Sequence, residues 1–372
     1  DGVAKFTLSA VPFFLLTGSI LESTSMAKRL IQWLFSLIGH VRGGIPLVGV
    51  AANEFFGAIS GSSAAATGTV GRIMYPEISK VRGDSFAIGL LTSAGALAVI
   101  MPPSITMILY GATASVSVGD LFLTGIFPAA IIFILIGGYV VYSSKSNAQL
   151  SRPNMRTILL NTKAAVWVIF LPFIILGGIY GGFFTPTESA AVSAIYAFCV
   201  AVFIYREMGM RSIYHALKDT LVLTMQIFII IGSSVVFSQA LMLAQIPQQL
   251  VELTAGLPSW SFLLILNVLL IAVGMFFDPT SAVLVLTPLL IPIANMMDVD
   301  LIHLGMIMTV NLAIGMFTPP VGLNLFVAQS VFKKSMVDVV NSLKPFWVLY
   351  ILALLIITYL PQLYLWIPNL MK

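Results

Sequence analysis

"AVIMPPSITMIL", residues 98–109, sets two adjacent prolines in the middle of a run that is otherwise long and apolar enough to cross a membrane. Proline has no N–H, and its ring pushes off the carbonyl four residues back. Pro102 and Pro103 therefore break the helix and strand carbonyls at a depth where an unsatisfied polar group costs several kcal/mol. The composition supplies the setting. Of 372 residues 59% are hydrophobic and 9% are charged, too little charge to cover a soluble domain of this size. The chain reads as an all-α polytopic membrane protein in a lipid bilayer, with one membrane domain. Its net charge of +4 comes from Lys and Arg in loops beside the membrane segments, so it reports orientation and gives no nucleic-acid signal. Cys199, alone in an apolar helix, offers neither a disulfide nor a Cys/His metal cluster. The opening "DGVAKFTLSA" lacks an initiator Met and a signal-peptide pattern, so the chain is expected to be the later part of a longer one.

The basic residues orient what surrounds the break. Residues 1–42 read as a scaffold helix (6–21) and an interfacial arm, with Lys28, Arg29 and Arg42 marking the cytoplasmic face. The apolar stretch 43–76 carries the knot "SGSSAAATG" (60–68) at its centre, with Arg42 at one end and Arg72, Lys80 and Arg82 at the other. Both ends face the cytoplasm, so it is a re-entrant hairpin with the knot at its tip. The broken helix 85–117 and a return span 120–142 complete a first half, 43–142. Residues 143–258 supply a cytoplasmic linker with Lys145, Arg152, Arg156 and Lys163, then spans 164–184 and 187–205 joined by the capping box "TPTE" (185–188). A basic amphipathic piece 206–219, a span 220–243 and a second interfacial arm 245–257 follow. The apolar stretch 259–297, interrupted by "DPTS" (278–281), is flanked by Glu252, Asp298, Asp300 and His303 and by no Lys or Arg. It reads as a hairpin entered from the outside. A second Pro-Pro helix, 302–332, passes through "GMFTPPVGLNLF" (315–326) to Lys333 and Lys334. It closes the second half, 259–345, and 346–372 reads as a C-terminal helix.

One constant separation of 217 positions carries Gly57 to Gly274, Pro102 and Pro103 to Pro319 and Pro320, and Pro128 to Pro345. Matching elements of opposite orientation make an inverted repeat, the architecture of secondary transporters. Freed carbonyls facing a hydroxyl-bearing hairpin tip form an all-oxygen shell suited to Na⁺. The first such set joins Ser60, Ser62 and Ser63 to the backbone of Ala98, Ile100 and Pro102. The second joins Thr280 and Ser281 to Gly315, Thr318 and Pro319, with Gly274 nearby. The half-helix N-termini that begin after the four breaks present unpaired N–H groups and positive dipole ends to an anion between the tips. Ser60, Ser62, Asp278 and Asn324 are the candidate substrate contacts. Asp278 admits three roles: shaping a cation site, bonding a hydroxylated substrate, or capping the half-helix that starts at Pro279. Asn324 equally suits a helix neighbour, and Glu54 and Asn53 are open in the same way. Any one Ser or Pro here reads as packing or a kink; the duplicated, facing set reads as a site. Ser143, in the cytoplasmic joint, reads as uninvolved.

These motifs together resemble the large membrane subunit of the tripartite ATP-independent periplasmic (TRAP) transporters. The resemblance runs through "VPFFLLTGSILE" (11–22), "SGSSAAATGTVGRIMYPEI" (60–78), "SAGALAVIMPPS" (93–104), "FTPTESAAV" (184–192), "GMFFDPTSAVLVLTPLLIPIA" (274–294) and "FTPPVGLNLFVA" (317–328). It implies an elevator-type, Na⁺-driven importer of organic anions in the bacterial inner membrane, with two or more coupling ions. The hairpin and broken-helix bundle would move against a scaffold shared with a small membrane subunit, and a periplasmic substrate-binding protein would deliver a C4-dicarboxylate, sialic acid or another carboxylate. Ala98 stands where the family often has Gly, which tightens the first site. A single-component anion transporter of similar design is the alternative, distinguished by uptake without a binding protein. A channel is disfavoured by two non-identical inverted tips, which form no filter ring. An intramembrane protease is disfavoured because Asp278 stands alone and no His lies near the tip serines.

Overall fold

The computed structural model describes residues 6–144, 154–254 and 256–370, and every element among them is helical. Among the described residues six helices are long and apolar enough to span a membrane, or up to eight if each bent pair counts as one span. A short 3₁₀ turn leads into Ala10–Glu22, and the chain then bends by 72° into Met26–Ile38. Met26, Ala27, Leu30, Ile31 and Leu34 recur on one face of that arm and are buried, so it lies against the bundle along its apolar stripe.

The first hairpin consists of Gly44–Ser60 and Ser63–Arg82. Gly61 makes the turn between them at φ +61°, a conformation that glycine adopts without the clash a Cβ would bring. The second arm runs six residues beyond the expected end at 76, since Pro76 is accommodated inside it. The first broken helix comprises Asp84–Gly95, Leu97–Ile100 and Ile105–Ala114, interrupted at 101–104; the second comprises Leu301–Gly315 and Leu323–Phe332, interrupted at 316–322. The Pro102–Pro103 and Pro319–Pro320 peptide bonds are both cis. The second hairpin is Ser259–Gly274 and Pro279–Met296.

The return span Val118–Ser143 ends at an arginine clasp. Arg42 donates from Nε to the Ser144 carbonyl at 2.9 Å, and Arg82 donates to the Ser143 carbonyl at 2.6 Å, opposing the negative end of the helix dipole. Lys145 and Arg152 lie outside the described residues.

Three further boundaries differ from the sequence reading. The span expected at 164–184 begins at Met155, because Asn154 caps it by accepting the N–H groups of Arg156 and Thr157. Residues 206–219 are not a separate interfacial piece. With no proline to stop it, one helix runs from Met210 to Leu243, about 51 Å at 1.5 Å per residue. The C-terminal segment is not one helix: Lys344–Tyr359 stops ahead of Pro361, and Tyr364 folds back to donate its hydroxyl to the Ile357 carbonyl.

Between Pro186–Cys199 and Met210–Leu243, five residues form a π-turn, Val200–Ile204. The turn presents Tyr205 and Glu207 to the first arm. Arg29 stacks over the Tyr205 ring at 4.2 Å, and Glu207 accepts hydrogen bonds from Arg29 and from the N–H and hydroxyl of Ser25. This polar clasp fastens the interfacial arm to the scaffold helices.

The half-helices that follow the four breaks pair across the two halves of the chain. Ser63–Arg82 packs against Leu323–Phe332, and Pro279–Met296 packs against Ile105–Ala114. The helices that precede the breaks pair within a half: Gly44–Ser60 with Leu97–Ile100, and Ser259–Gly274 with Leu301–Gly315.

Candidate functional site

Each break exposes a helix N-terminus, and local chemistry decides how it is finished. Ser62 caps the second arm of the first hairpin by accepting the Ala65 N–H at 3.3 Å, and Ser104 caps the resumed helix by accepting from Met107 at 3.4 Å. Asp278 accepts the Thr280 N–H at 2.9 Å, with Pro279 in the first helical position. Gly322, at φ +32°, provides no side-chain cap for Leu323–Phe332. The first residues of all four half-helices, Ser63, Ile105, Pro279 and Leu323, line one cavity of about 370 Å³. Among the described residues Asp278 is the only ionisable side chain in its wall, and neither Lys nor Arg contributes to it.

The sequence candidates are distributed unevenly around this cavity. Ser62, Ser63, Asp278, Thr280 and Ser281 line it. Ser60 does not; it is buried beside Gly18 of the first helix and its hydroxyl oxygen accepts the Ser62 N–H at 3.3 Å. The Ser63 hydroxyl accepts a hydrogen bond from the Asn324 amide at 2.7 Å, and the same amide nitrogen reaches the Thr92 carbonyl at 3.3 Å. Asn324 thus sits behind the cavity wall and ties the first hairpin tip to the second broken helix. This link crosses the halves, where the sequence reading joined each tip only to the break of its own half.

Ala98, Ile100, Pro102, Gly274, Gly315, Thr318 and Pro319 do not line the cavity; the first five are buried, and Thr318 and Pro319 are partly buried. A Cβ on Gly57 would collide with the Cα of Ala98, and one on Gly315 would collide with the backbone of Gly274. Those glycines are what lets the hairpin arms approach the breaks. Pro102 and Pro103 withhold the N–H groups that would have reached the Ala98 and Val99 carbonyls. At the second break the Thr318 hydroxyl donates back to the Ile314 carbonyl at 2.7 Å.

Three residues at the site were not singled out from sequence. Thr106, in the first turn of a half-helix, and Gln226, a polar residue within a long apolar span, both line the cavity. Their signal was a polar side chain at membrane depth. Thr67 is fully buried one turn past Ser63, and its hydroxyl has no hydrogen-bond partner among the described residues. Gly95 makes room for it, since a Cβ there would overlap the Thr67 oxygen and lie 3.3 Å from the Ser63 carbonyl. An orphaned hydroxyl beside a carbonyl suits a hard cation.

Residues 1–363 match the family model of the tripartite ATP-independent periplasmic transporter, DctM component. The chain belongs to this family. A C4-dicarboxylate TRAP transporter large permease protein from Pseudomonas aeruginosa is 38% identical over 371 residues, covering 98% of this chain and 86% of that one. The ectoine TRAP transporter large permease protein of Halomonas elongata is 34% identical over 376 residues, covering 99% and 88%. The 2,3-diketo-L-gulonate large permease protein of Escherichia coli is 33% identical over 369 residues, covering 98% and 87%. Among solved structures, the YdaH transporter of Alcanivorax borkumensis superposes with a TM-score of 0.63 at 12% identity, over 99% of this chain and 86% of that one, which shows a shared fold. As a TRAP large component, the chain is a multi-pass membrane permease of a tripartite system.

Proposed function

We propose that this TRAP permease is the transport subunit of a Na⁺-coupled secondary importer of organic acids in the bacterial inner membrane. A periplasmic substrate-binding protein delivers the acid, and a small membrane subunit completes the scaffold. The observation that carries this reading is the single cavity lined by the first residues of four half-helices, with no basic side chain in its wall. Helix N-termini concentrate unpaired N–H groups and positive dipole ends, so four of them meeting at one point favour a carboxylate without an arginine. The volume of about 370 Å³ accommodates a small molecule. Relatives are named for C4-dicarboxylate, 2,3-diketo-L-gulonate and ectoine, which supports a small, carboxylate-bearing substrate.

Ser62, Ser63, Thr67 and the carbonyls freed by Pro102 and Pro103 form the oxygen set we assign to a coupling Na⁺, and Thr280, Ser281 and Thr318 form its counterpart beside the second break. A bound Na⁺ supplies positive charge that the cavity wall lacks. The chain's own part is to hold the oxygens close through the Gly57–Ala98 and Gly274–Gly315 approaches, and to tie the first tip to the second broken helix through Ser63 and Asn324. The two halves act as an inverted repeat, and the bundle 43–142 with 259–345 moves as an elevator against the remaining scaffold helices, exchanging the cavity between the two membrane faces.

The test is uptake of radiolabelled carboxylates into proteoliposomes, with and without an inward Na⁺ gradient, after adding the small subunit and a cognate binding protein. Uptake that needs all three proteins and Na⁺ is expected. Uptake by this chain alone, or uptake indifferent to Na⁺, would overturn the proposal.

A further inference from the structure

A groove of about 730 Å³ lies on the outer flank of the bundle and shares no lining residue with the cavity between the breaks. Its mouth is formed by Arg42 and Tyr142, and its deeper walls include Leu47 of the first hairpin and Phe133 of the return span. The floor is Gly137 and Gly138: a Cβ on Gly138 would meet nothing within 4 Å, whereas one on Gly137 would come 3.3 Å from Leu47. Bare backbone therefore lies open at this point of a helix that otherwise carries large apolar side chains.

The two ends of the groove differ chemically. Tyr142 is 86% exposed beside the helix end, the position of an aromatic residue at headgroup level. Arg42 is held there through Nε and Nη2 by the Ser144 carbonyl, at 2.9 and 2.6 Å, while Nη1 takes part in neither bond. Arg82 reaches the same helix end through Ser143, so two guanidiniums gather at this corner. Nine residues before Tyr142, Phe133 lies about 13 Å deeper along the helix axis, within the hydrocarbon. Apart from Arg42 and the Tyr142 hydroxyl, the lining side chains are apolar or glycine, so a water-soluble acid would find a cation at the rim and nothing polar below it.

We propose that this groove binds an anionic phospholipid of the cytoplasmic leaflet, with its phosphate on Arg42 and an acyl chain lying over Gly137 and Gly138. The fit is of charge at the mouth and of apolar surface below, the pattern by which basic pockets beside membrane helices take acidic headgroups. The lipid joins the entry of the first hairpin to the last turn of the return span, the two elements that the Arg42–Ser144 contact already connects.

The test uses the purified full chain, delipidated in detergent and titrated with phosphatidylglycerol or phosphatidylcholine, with bound lipid read by native mass spectrometry. Phosphatidylglycerol is expected to bind about fivefold more tightly than phosphatidylcholine, and Arg42→Gln to remove that preference. Because Arg42 also braces Ser144, a second variant guards against a folding artefact. Gly138→Leu places its side chain in open space and is expected to displace both lipids without lowering the melting temperature. Equal binding of the two lipids to the unaltered chain, an intact preference in Arg42→Gln, or full lipid retention by a folded Gly138→Leu would each overturn the proposal.

Discussion

At the first Pro-Pro break four residues, 101–104, separate the helical pieces; at the second, seven residues, 316–322, do so. The short break is closed by side chains. Ser104 caps the resumed helix, and the hairpin above brings Ser62, Ser63 and the unpartnered Thr67 hydroxyl. The long break is closed by backbone, its own and that of the second hairpin's tip, and by a tryptophan. The Met275 carbonyl accepts from Gly322 at 2.9 Å, the Met316 carbonyl from Asn324 at 2.8 Å, and the Phe317 carbonyl from Trp347 at 3.3 Å. The same motif thus leaves oxygens in want of a partner at one site and largely provides for them at the other. On this footing the first break should be the more sensitive to loss of a hydroxyl.

The largest effects are expected where the hairpins approach the breaks. Gly57→Ala and Gly315→Ala force a methyl into backbone and should each destabilise the fold by about 1–3 kcal/mol, with uptake lost. Gly274→Ala, whose Cβ would lie 3.1 Å from its nearest neighbours, should be clearly milder in thermal unfolding. If all three variants behave alike, the asymmetry of the packing is wrong. Next comes Asn324→Ala, which leaves the buried Ser63 hydroxyl and Thr92 carbonyl without their amide donor and should cost about 1–3 kcal/mol. Adding Ser63→Ala should cost little more, because the partner is already gone; additive losses would show that the two do not act as a pair.

Ser62→Ala removes a cap and a candidate cation oxygen, and should raise the Na⁺ concentration for half-maximal uptake about tenfold, a difference near 1.4 kcal/mol. Thr318→Ala, whose hydroxyl is already turned to Ile314, should shift it much less. Equal shifts would erase the distinction between the two breaks. Asp278→Asn keeps an acceptor for the Thr280 N–H, so uptake should be nearly unchanged if capping is its whole role, and a marked loss would assign a role to its charge.

The smallest effect lies away from both breaks. Partial burial pushes the Glu207 carboxyl up, but hydrogen bonds from Ser25 and Arg29 outweigh that and hold it below the usual carboxylate value. Its contribution is therefore present above the unfolded-state carboxylate range and is lost as pH falls through the lower folded-state value. Glu207→Gln should flatten that acid-side slope in thermal unfolding by less than about 1 kcal/mol, leaving Na⁺-dependent uptake as it was.

Much of the fold was legible in the sequence because its decisive signals are backbone events. A Pro-Pro pair must break a helix, a Gly/Ser knot between basic flanks must turn back, and "TPTE" must start a helix; the capping box at Thr185 and Glu188 is present. The links across the chain were not legible. Ser63 and Asn324 stand 261 positions apart, and no local pattern states that they meet. Ser143, read as inert, has both its carbonyl and its hydroxyl engaged by Arg82, because an arginine reaches for a helix end irrespective of the residue that ends it. Thr67 was hidden within a run of small residues, and only its burial beside Gly95 distinguishes it.

The crossed pairing of the half-helices has one more consequence, for how such a chain is assembled. Ser63–Arg82 packs on Gly44–Ser60 and Asp84–Gly95 of its own half but is completed only after Leu323–Phe332 has been synthesised, and Ile105–Ala114 gains its main partner only with Pro279–Met296. Neither half encloses the cavity alone. A polypeptide of half this length would leave the chamber without two of its four helix starts, so both halves must be present in one molecule before the cavity exists.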